Sequence, residues 1–363
     1  MKIGIFTFFQ TNYGAILQAY SLQKYLLDQP GVDVEIIDFT TPKHLENNKI
    51  FQKQKSGNII SKIAYLFFTC LRYTQLKKRE KRTEAFKDKY LRLSKRYCTV
   101  DELLKNHPIE DVYITGSDQV FRPDSSYMPV YYLGFDKGKG KKVAYAPCFG
   151  TSDFSEQTKK SIRQYIDDFD FLSCRESSGA TFLQSIVGRK VSVVLDPVFL
   201  HTGEDWSKIA IAPSFAGEYI FVYDLNGGYD LISLANKIKE KTHLPIVCLT
   251  RVRTRFYKVD KQCYDAGPAE FLGWIKNASF VVTDSFHGTA FSIIFNRAFF
   301  SYIALEKSSE RLKELLGKVG LENRLLTKKQ LHTFDVKSYE SLPAISLDEF
   351  SLESKMFIHG FIQ

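Results

Sequence analysis

Asp284, Ser285, Phe286, His287, Gly288 and Thr289 follow the apolar run Val281-Val282-Thr283 and bring together groups that handle anions and protons. A strand ending at Asp284-Ser285, with a helix beginning near His287, presents free main-chain N–H groups and the positive end of a helix dipole. That junction suits a phosphate or carboxylate. His287 adds a group able to donate or accept a proton near neutral pH. The plainer reading makes Asp284 or Ser285 a helix cap and His287 a turn residue. A second junction, Ile114 to Phe121, runs from an apolar strand into Gly116-Ser117-Asp118-Gln119. Its turn can cradle an anion, and Asp118 can accept from sugar hydroxyls; an Asx-capped turn is the alternative. In Leu172-Ser173-Cys174-Arg175-Glu176-Ser177, Arg175 stands at a strand end ahead of a helix. There it can point into a cleft and hold a carboxylate bidentately, or else pair with Glu176 at the surface.

Weaker patterns accompany these. Asn12, Tyr13 and Gly14 form a polar turn after the first strand and fit a substrate loop. Arg251, Arg253 and Arg255 alternate after another strand, and could clamp phosphates or line a solvated edge. Asp167-Asp168-Phe169-Asp170 resembles a metal-binding acidic triplet of sugar transferases, but reads more simply as a helix end before a strand. No metal is assigned. Walker A, GxGxxG and GxSxG patterns are absent, so ATP-loop, dinucleotide and hydrolase-elbow chemistry have no support.

Elements placed by periodicity must hold these junctions. A strand over 2–8, a helix over 15–27 and a strand over 34–39 make a βαβ unit with a right-handed crossover. Strands follow at 111–115, 142–146, 171–175 and 192–195, with helices at 155–167 and 177–185. A polar, Pro-containing stretch at 201–214 interrupts. The cycle then resumes with strands at 219–223, 245–249, 280–283 and 298–303, and helices at 230–241, 269–277 and 287–295. Two such sets imply two α/β, Rossmann-like domains with mostly parallel sheets and a ligand site in the cleft between them. The expected boundaries are 1–203, with a basic helical insertion at about 58–97, and 204–363, whose C-terminal tail could pack back on the first domain. At 363 residues, two domains is also the expectation from length.

The net charge of +9 is concentrated. From Arg72 to Arg96, eleven basic residues against three acidic ones leave +8. Before them, Ile59, Ile60, Ile63, Leu66, Phe67 and Leu71 recur at helical spacing. Such a pair of segments can lie on an anionic bilayer, or form a solvated helix packed on its own domain. The basic cluster matches no nucleic-acid module, so no nucleic acid is expected. The six cysteines lie at least 15 residues apart with no CxxC, which argues against a zinc site and for a reduced, cytoplasmic setting. The N-terminal residues read as a strand rather than a signal peptide, and no apolar run is long enough to span a membrane.

Taken together, Asn12–Leu22 (NYGAILQAYSL), Thr115–Phe121 (TGSDQVF), Ser173–Glu176 (SCRE), Leu195–Leu200 (LDPVFL) and Val282–Phe299 (VTDSFHGTAFSIIFNRAF) resemble the polysaccharide pyruvyl transferase family. The resemblance implies a fold similar to that of B-type glycosyltransferases. It implies transfer of the enolpyruvyl group of phosphoenolpyruvate to two hydroxyls of one sugar, giving a pyruvate ketal and phosphate. The acceptor it implies is a bacterial capsule, exopolysaccharide or cell-wall precursor, often lipid-linked. No cofactor beyond that donor is expected, and the setting would be cytoplasmic, with peripheral attachment to the inner membrane face an option. In relatives whose last segment reads Arg-x-His-Gly, the Arg and His contact the donor; here His287 keeps its place and Ser285 stands where the Arg would be. Arg251, Arg253 or Arg255 could supply that charge. His287, Asp118 and Arg175 are the expected catalytic residues. Asn12, Tyr13, Gly14, Gly116, Ser117, Gln119, Arg251, Arg253, Asp284, Ser285, Phe286, Gly288 and Thr289 are the expected binding residues. The rival readings are a nucleotide-sugar glycosyltransferase of the same architecture and a non-catalytic glycan- or membrane-binding relative.

Overall fold

The computed structural model describes residues 1–10, 12–52, 58–123, 125–150, 154–226, 228–252, 254–303, 310–332, 341–343 and 345–363. The chain divides into two compact units. The first comprises Met1–Glu46, Lys87–His201 and Ser346–Gln363; the second comprises Asn47–Phe86 and Thr202–Ile345.

The first unit carries a parallel sheet of β1 (Lys2–Phe6), β2 (Asp33–Phe39), β3 (Leu93–Tyr97), β4 (Val112–Thr115), β5 (Lys141–Ala144), β6 (Phe171–Cys174) and β7 (Ser192–Val193). Their order is β3-β2-β1-β4-β5-β6-β7. The second carries β8 (Ile220–Asp224), β9 (Ile246–Thr250), β10 (Lys261–Cys263), β11 (Phe280–Thr283), β12 (Ala298–Tyr302) and β13 (Leu325–Leu326), in the order β10-β9-β8-β11-β12-β13. Among the described residues every strand pairing is parallel, as crossover helices demand. In each sheet the order runs one way from the first strand and then reverses, between β1 and β4 and between β8 and β11. Such reversals open a crevice beyond the strands' carboxyl ends, where ligands of doubly wound sheets bind.

The helices are α1 (Tyr13–Leu27), α2 (Pro42–Asn48), α3 (Ile59–Leu71), α4 (Tyr73–Tyr90), α5 (Val100–Asn106), α6 (Met128–Tyr131), α7 (Glu156–Ile166) and α8 (Ser177–Val187). They continue with α9 (Gly203–Ile209), α10 (Tyr229–Thr242), α11 (Pro268–Lys276), α12 (Phe286–Ile294), α13 (Glu310–Lys318) and α14 (Leu347–Ile362). The apolar strand faces build each core. Ile3, Ile5, Ile114 and Val143 are fully buried in the first unit, and Ile220, Val222, Val247 and Val281 in the second.

The basic segment differs from expectation in two ways. Its helix ends at Tyr90, and Leu93–Tyr97 is the edge strand β3, with Leu93, Lys95 and Arg96 exposed. Cationic side chains suit an unpaired sheet edge, and their charge hides the strand in a helical reading. The segment 47–86 also groups with the second unit rather than forming an insertion of the first. Arg82 explains this: Nη1 donates to Asp265 O (2.8 Å) and Oδ2 (3.0 Å), and Nε pairs with Glu270 (3.0 Å). The C-terminal helix α14 belongs to the first unit, where Ser354 Oγ accepts from the Leu195 N–H at 2.9 Å.

Candidate active site

In the first unit, five strand ends converge on Asp118 and Arg175. Gly116 follows β4 at φ +117°, and a Cβ there would lie 2.0 Å from Tyr145 O, so only glycine fits. Ser117 is buried and locked on three sides. Its N–H donates to Gln18 Oε1 (3.2 Å), its hydroxyl donates to Ala146 O (2.9 Å), and its carbonyl accepts from Thr7 Oγ1 (3.1 Å). Gln18, fully buried on α1, also donates to Thr7 Oγ1 at 2.8 Å. Asp118 follows at φ +68° and ψ −169°, a backbone conformation that residues other than glycine rarely adopt. Its carbonyl accepts from the Val120 and Cys148 N–H groups, both at 2.8 Å. Those bonds fix the main chain and leave the half-buried carboxylate 3.7 Å from Arg175 Nη2.

Arg175 does not form the free anion clamp expected of it. It is buried, Nη1 donates to the carboxylate of the buried Asp196, and Nη2 lies 2.9 Å from Cys148 Sγ. Burial alone would favour losing its proton. The neighbouring Cys148, Asp196, Glu176 and Asp118 outweigh that and hold the guanidinium well above its ordinary range. Its charge is therefore matched inside the protein, and it orients Asp118 rather than reaching outward. Glu176, the expected surface partner, is itself buried.

The N-terminal turn contributes less than expected. Asn12 caps α1, accepting from the Gly14 N–H at 3.1 Å, while Tyr13 and Gly14 are buried. Gln119 remains partly exposed in the short turn of helix after Asp118. Asp168 and Asp170 lie before β6 and pair with Lys142 and Lys137, which fits the helix-end reading of the acidic triplet.

In the second unit the crossover lies between β8 and β11. The Asp284 carboxylate accepts from the main-chain N–H of Leu225 (2.8 Å) and Asn226 (2.6 Å), tying the loop after β8 to the turn after β11. Ser285 caps α12, its Oγ accepting from the Gly288 N–H at 3.2 Å, a bond that an arginine could not supply. Thr289 Oγ1 donates to Ser285 O (3.0 Å) and meets Ser301 Oγ at 2.6 Å. A Cβ at Gly288 would fall 2.6 Å from Thr283 Oγ1, so glycine lets α12 sit directly on β11. His287 is the second residue of this buried helix, its ring edge-on to Phe286 at 5.3 Å. The histidine is thus placed in the first turn, at the positive end of the helix.

Arg251 follows β9, its N–H donating to Asp224 O at 3.4 Å. Arg253 lies outside the described residues. Arg255 is already committed: Nη1 sits 3.0 Å from both carboxylate oxygens of Asp224, so its charge is matched. Asp224 is fully buried and also accepts from Thr250 Oγ1 (2.8 Å), the Tyr257 hydroxyl (2.6 Å) and the Gly228 N–H (3.0 Å). Burial, then Asp224, push the Tyr257 hydroxyl up from its ordinary pKa. Sequence reasoning passed over Gln18, Asp196 and Asp224. The signal was available: each is a polar residue within or ending an apolar run, where an unpaired polar group would be costly.

Two doubly wound sheets, each with polar groups gathered at its crossover, define a B-type glycosyltransferase-like fold. Solved structures agree. S. aureus MnaA with UDP is similar at a TM-score of 0.52 and 12% identity, over 98% of this chain and 94% of that one. Neisseria meningitidis UDP-GlcNAc 2-epimerase bound to UDP-GlcNAc matches at 0.52 and 11%, over all of both chains. The Methanocaldococcus jannaschii UDP-GlcNAc 2-epimerase in complex with UDP-GlcNAc and UDP matches at 0.50 and 14%, over 99% of this chain and all of that one. A search of curated proteins finds no match. The model of the polysaccharide pyruvyl transferase family matches residues 12–304, and the chain belongs to that family.

Proposed function

We propose that the protein transfers the enolpyruvyl group of phosphoenolpyruvate to two hydroxyls of one sugar in a bacterial surface-polysaccharide precursor. The observation that carries this reading is the β11–α12 turn within the family match: a capped helix N-terminus, sealed against its sheet by Gly288, with His287 in its first turn. Such a turn stabilises a phosphate or carboxylate through main-chain N–H groups and the helix dipole. Arg251, on the loop after β9, adds a cation for a donor bearing two acidic groups.

The donor's methylene carbon takes a proton and becomes a methyl group, leaving positive charge at its C2. One sugar hydroxyl adds there, the C2–O bond to phosphate breaks, and the second hydroxyl closes the ketal. Of the two hydroxyl protons, one balances the methyl group and the other leaves with phosphate. His287 handles the proton on the donor side, and Asp118 accepts from the attacking hydroxyl. Arg175 is a positioning residue that holds Asp118.

Phosphate release from phosphoenolpyruvate, followed against a panel of acceptor glycans, tests the proposal. His287→Gln should lower kcat/KM roughly 10²–10⁴-fold, the usual worth of a positioned acid or base. Product should gain a ketal methyl signal by NMR. Nucleoside diphosphate release from a nucleotide sugar, with phosphoenolpyruvate inert, would transfer the assignment to a glycosyltransferase.

A further inference from the structure

Helix α3 is packed on one side only. Thr69 is buried on that side. Arg72, which ends the helix, is buried with Nη2 donating to Arg255 O (3.1 Å) and its guanidinium 4.1 Å from the centre of the Tyr264 ring. The opposite side carries Ile59, Ile60, Ile63, Leu66, Phe67 and Leu71, each 54–74% exposed. At about 100° per residue, these six positions fall within an arc of about 140°. So many large apolar side chains facing water on one face mark an interaction surface. At 13 residues, α3 is about 20 Å long, and among the described residues no helix is long and apolar enough to cross a membrane. A helix of this kind lies in an interface rather than through it.

Charge selects the partner. Only Arg72 separates α3 from α4, whose Lys77 and Lys81 are exposed, and Lys62 is exposed on α3 itself. The part of the basic segment that lies in the second unit, Arg72–Phe86, holds six basic residues against two acidic ones, a net +4. Arg72 and Arg82 place their charge within the second unit, whereas Lys77 pairs with Glu80 at 2.7 Å at the surface and Lys62 and Lys81 are exposed. Two copies of this face would oppose like charge to like charge, whereas an anionic bilayer offers both an apolar boundary and phosphate headgroups. We propose that α3 is a membrane-docking helix. Its apolar arc enters the headgroup–acyl boundary of an anionic bilayer, and Lys62, Lys77 and Lys81 contact lipid phosphates.

The test is co-sedimentation of the full chain with phosphatidylcholine vesicles, with and without phosphatidylserine. The wild type should pellet with the anionic vesicles at 0.1 M salt and be released near 1 M, where the screening length falls from about 10 Å to about 3 Å. Ile63→Glu/Phe67→Glu should abolish pelleting with the circular dichroism and melting curve unchanged, since both positions face water. Lys77→Gln/Lys81→Gln should weaken partitioning about fivefold per lysine. Equal pelleting of wild type and Ile63→Glu/Phe67→Glu overturns the proposal. So does failure of the folded wild type to bind anionic vesicles at low salt. A concentration-dependent dimer that Ile63→Glu/Phe67→Glu abolishes, without vesicle binding, would assign the face to a second copy instead.

Discussion

Replacing Arg175 by alanine separates two accounts of the first unit. If Arg175 were an open anion clamp, its loss would resemble a surface substitution, within about 0.5 kcal/mol. The melting temperature would then move by about 1–2 °C and the Michaelis constant for phosphoenolpyruvate would rise. The structure demands otherwise. Arg175 and Asp196 are 5% and 1% exposed, and removing the arginine strands the Asp196 carboxylate away from water. Breaking a buried pair by deleting one partner costs about 3–5 kcal/mol. At roughly 2–4 °C per kcal/mol for a cooperative unit of 150–250 residues, Arg175→Ala should melt about 6–20 °C below the wild type. The double variant Arg175→Ala/Asp196→Ala should lose less than the two single losses combined, because the stranded charge goes with its partner. Turnover should fall through kcat more than through the donor Michaelis constant, since Asp118 loses its neighbour at 3.7 Å. Calorimetry at pH 7 decides the matter. A shift under 2 °C for Arg175→Ala would falsify the buried-pair account and restore the open clamp.

Three further outcomes follow from the same structure. Gly116→Ala places a Cβ 2.0 Å from Tyr145 O at a φ that alanine resists, so soluble yield or melting temperature should drop sharply; wild-type melting would show that the turn can relax. Gly288→Ala drives a methyl group to 2.6 Å from Thr283 Oγ1 and should lift α12 from β11, lowering turnover together with stability in paired kinetic and melting measurements. Burial, then the charge of Glu35, raises the Glu110 carboxyl to about 7. The folded state therefore holds a proton that the unfolded chain releases near 4.5, and stability should fall as pH rises from about 4.5 to 7. Glu110→Gln should flatten that slope in a melting-temperature series. The effect should be a few degrees at most, because the carboxyl keeps contact with water; a slope unchanged from wild type would place the titration elsewhere.

Much of this architecture was legible because parallel strands buried on both faces are written as short apolar runs, and helices between them as 3.6-residue periodicity. Phe280–Thr283 agrees residue for residue, and most other strand ends differ by one or two positions. At β5 the ladder ends at Ala144 because Ala146 turns to φ +50° ahead of Pro147, a backbone event with no apolar signature. The edge strand β3 escaped because Lys95 and Arg96 put charge at two of its exposed positions. The short strand β10, whose ladder covers Lys261–Cys263, has too few residues for any period to register.

The candidate sites show a deeper limit. Residue type at a strand end identified Asp118, Arg175, Asp284 and His287 as the groups to watch, but type alone does not reveal whether a charge is already matched. Arg175 meets Asp196 and Arg255 meets Asp224, and in both cases the aspartate is buried and closes its own strand end or the segment just after it. An arginine in such a pair builds the loop that bears the site, and its removal is first a folding event. In the second unit the donor contacts proposed above are the first turn of α12, with His287, and Arg251 on the loop after β9. The proposed chemistry therefore predicts that donor affinity responds to His287 and Arg251, and that Arg175 and Arg255 act on stability before they act on binding.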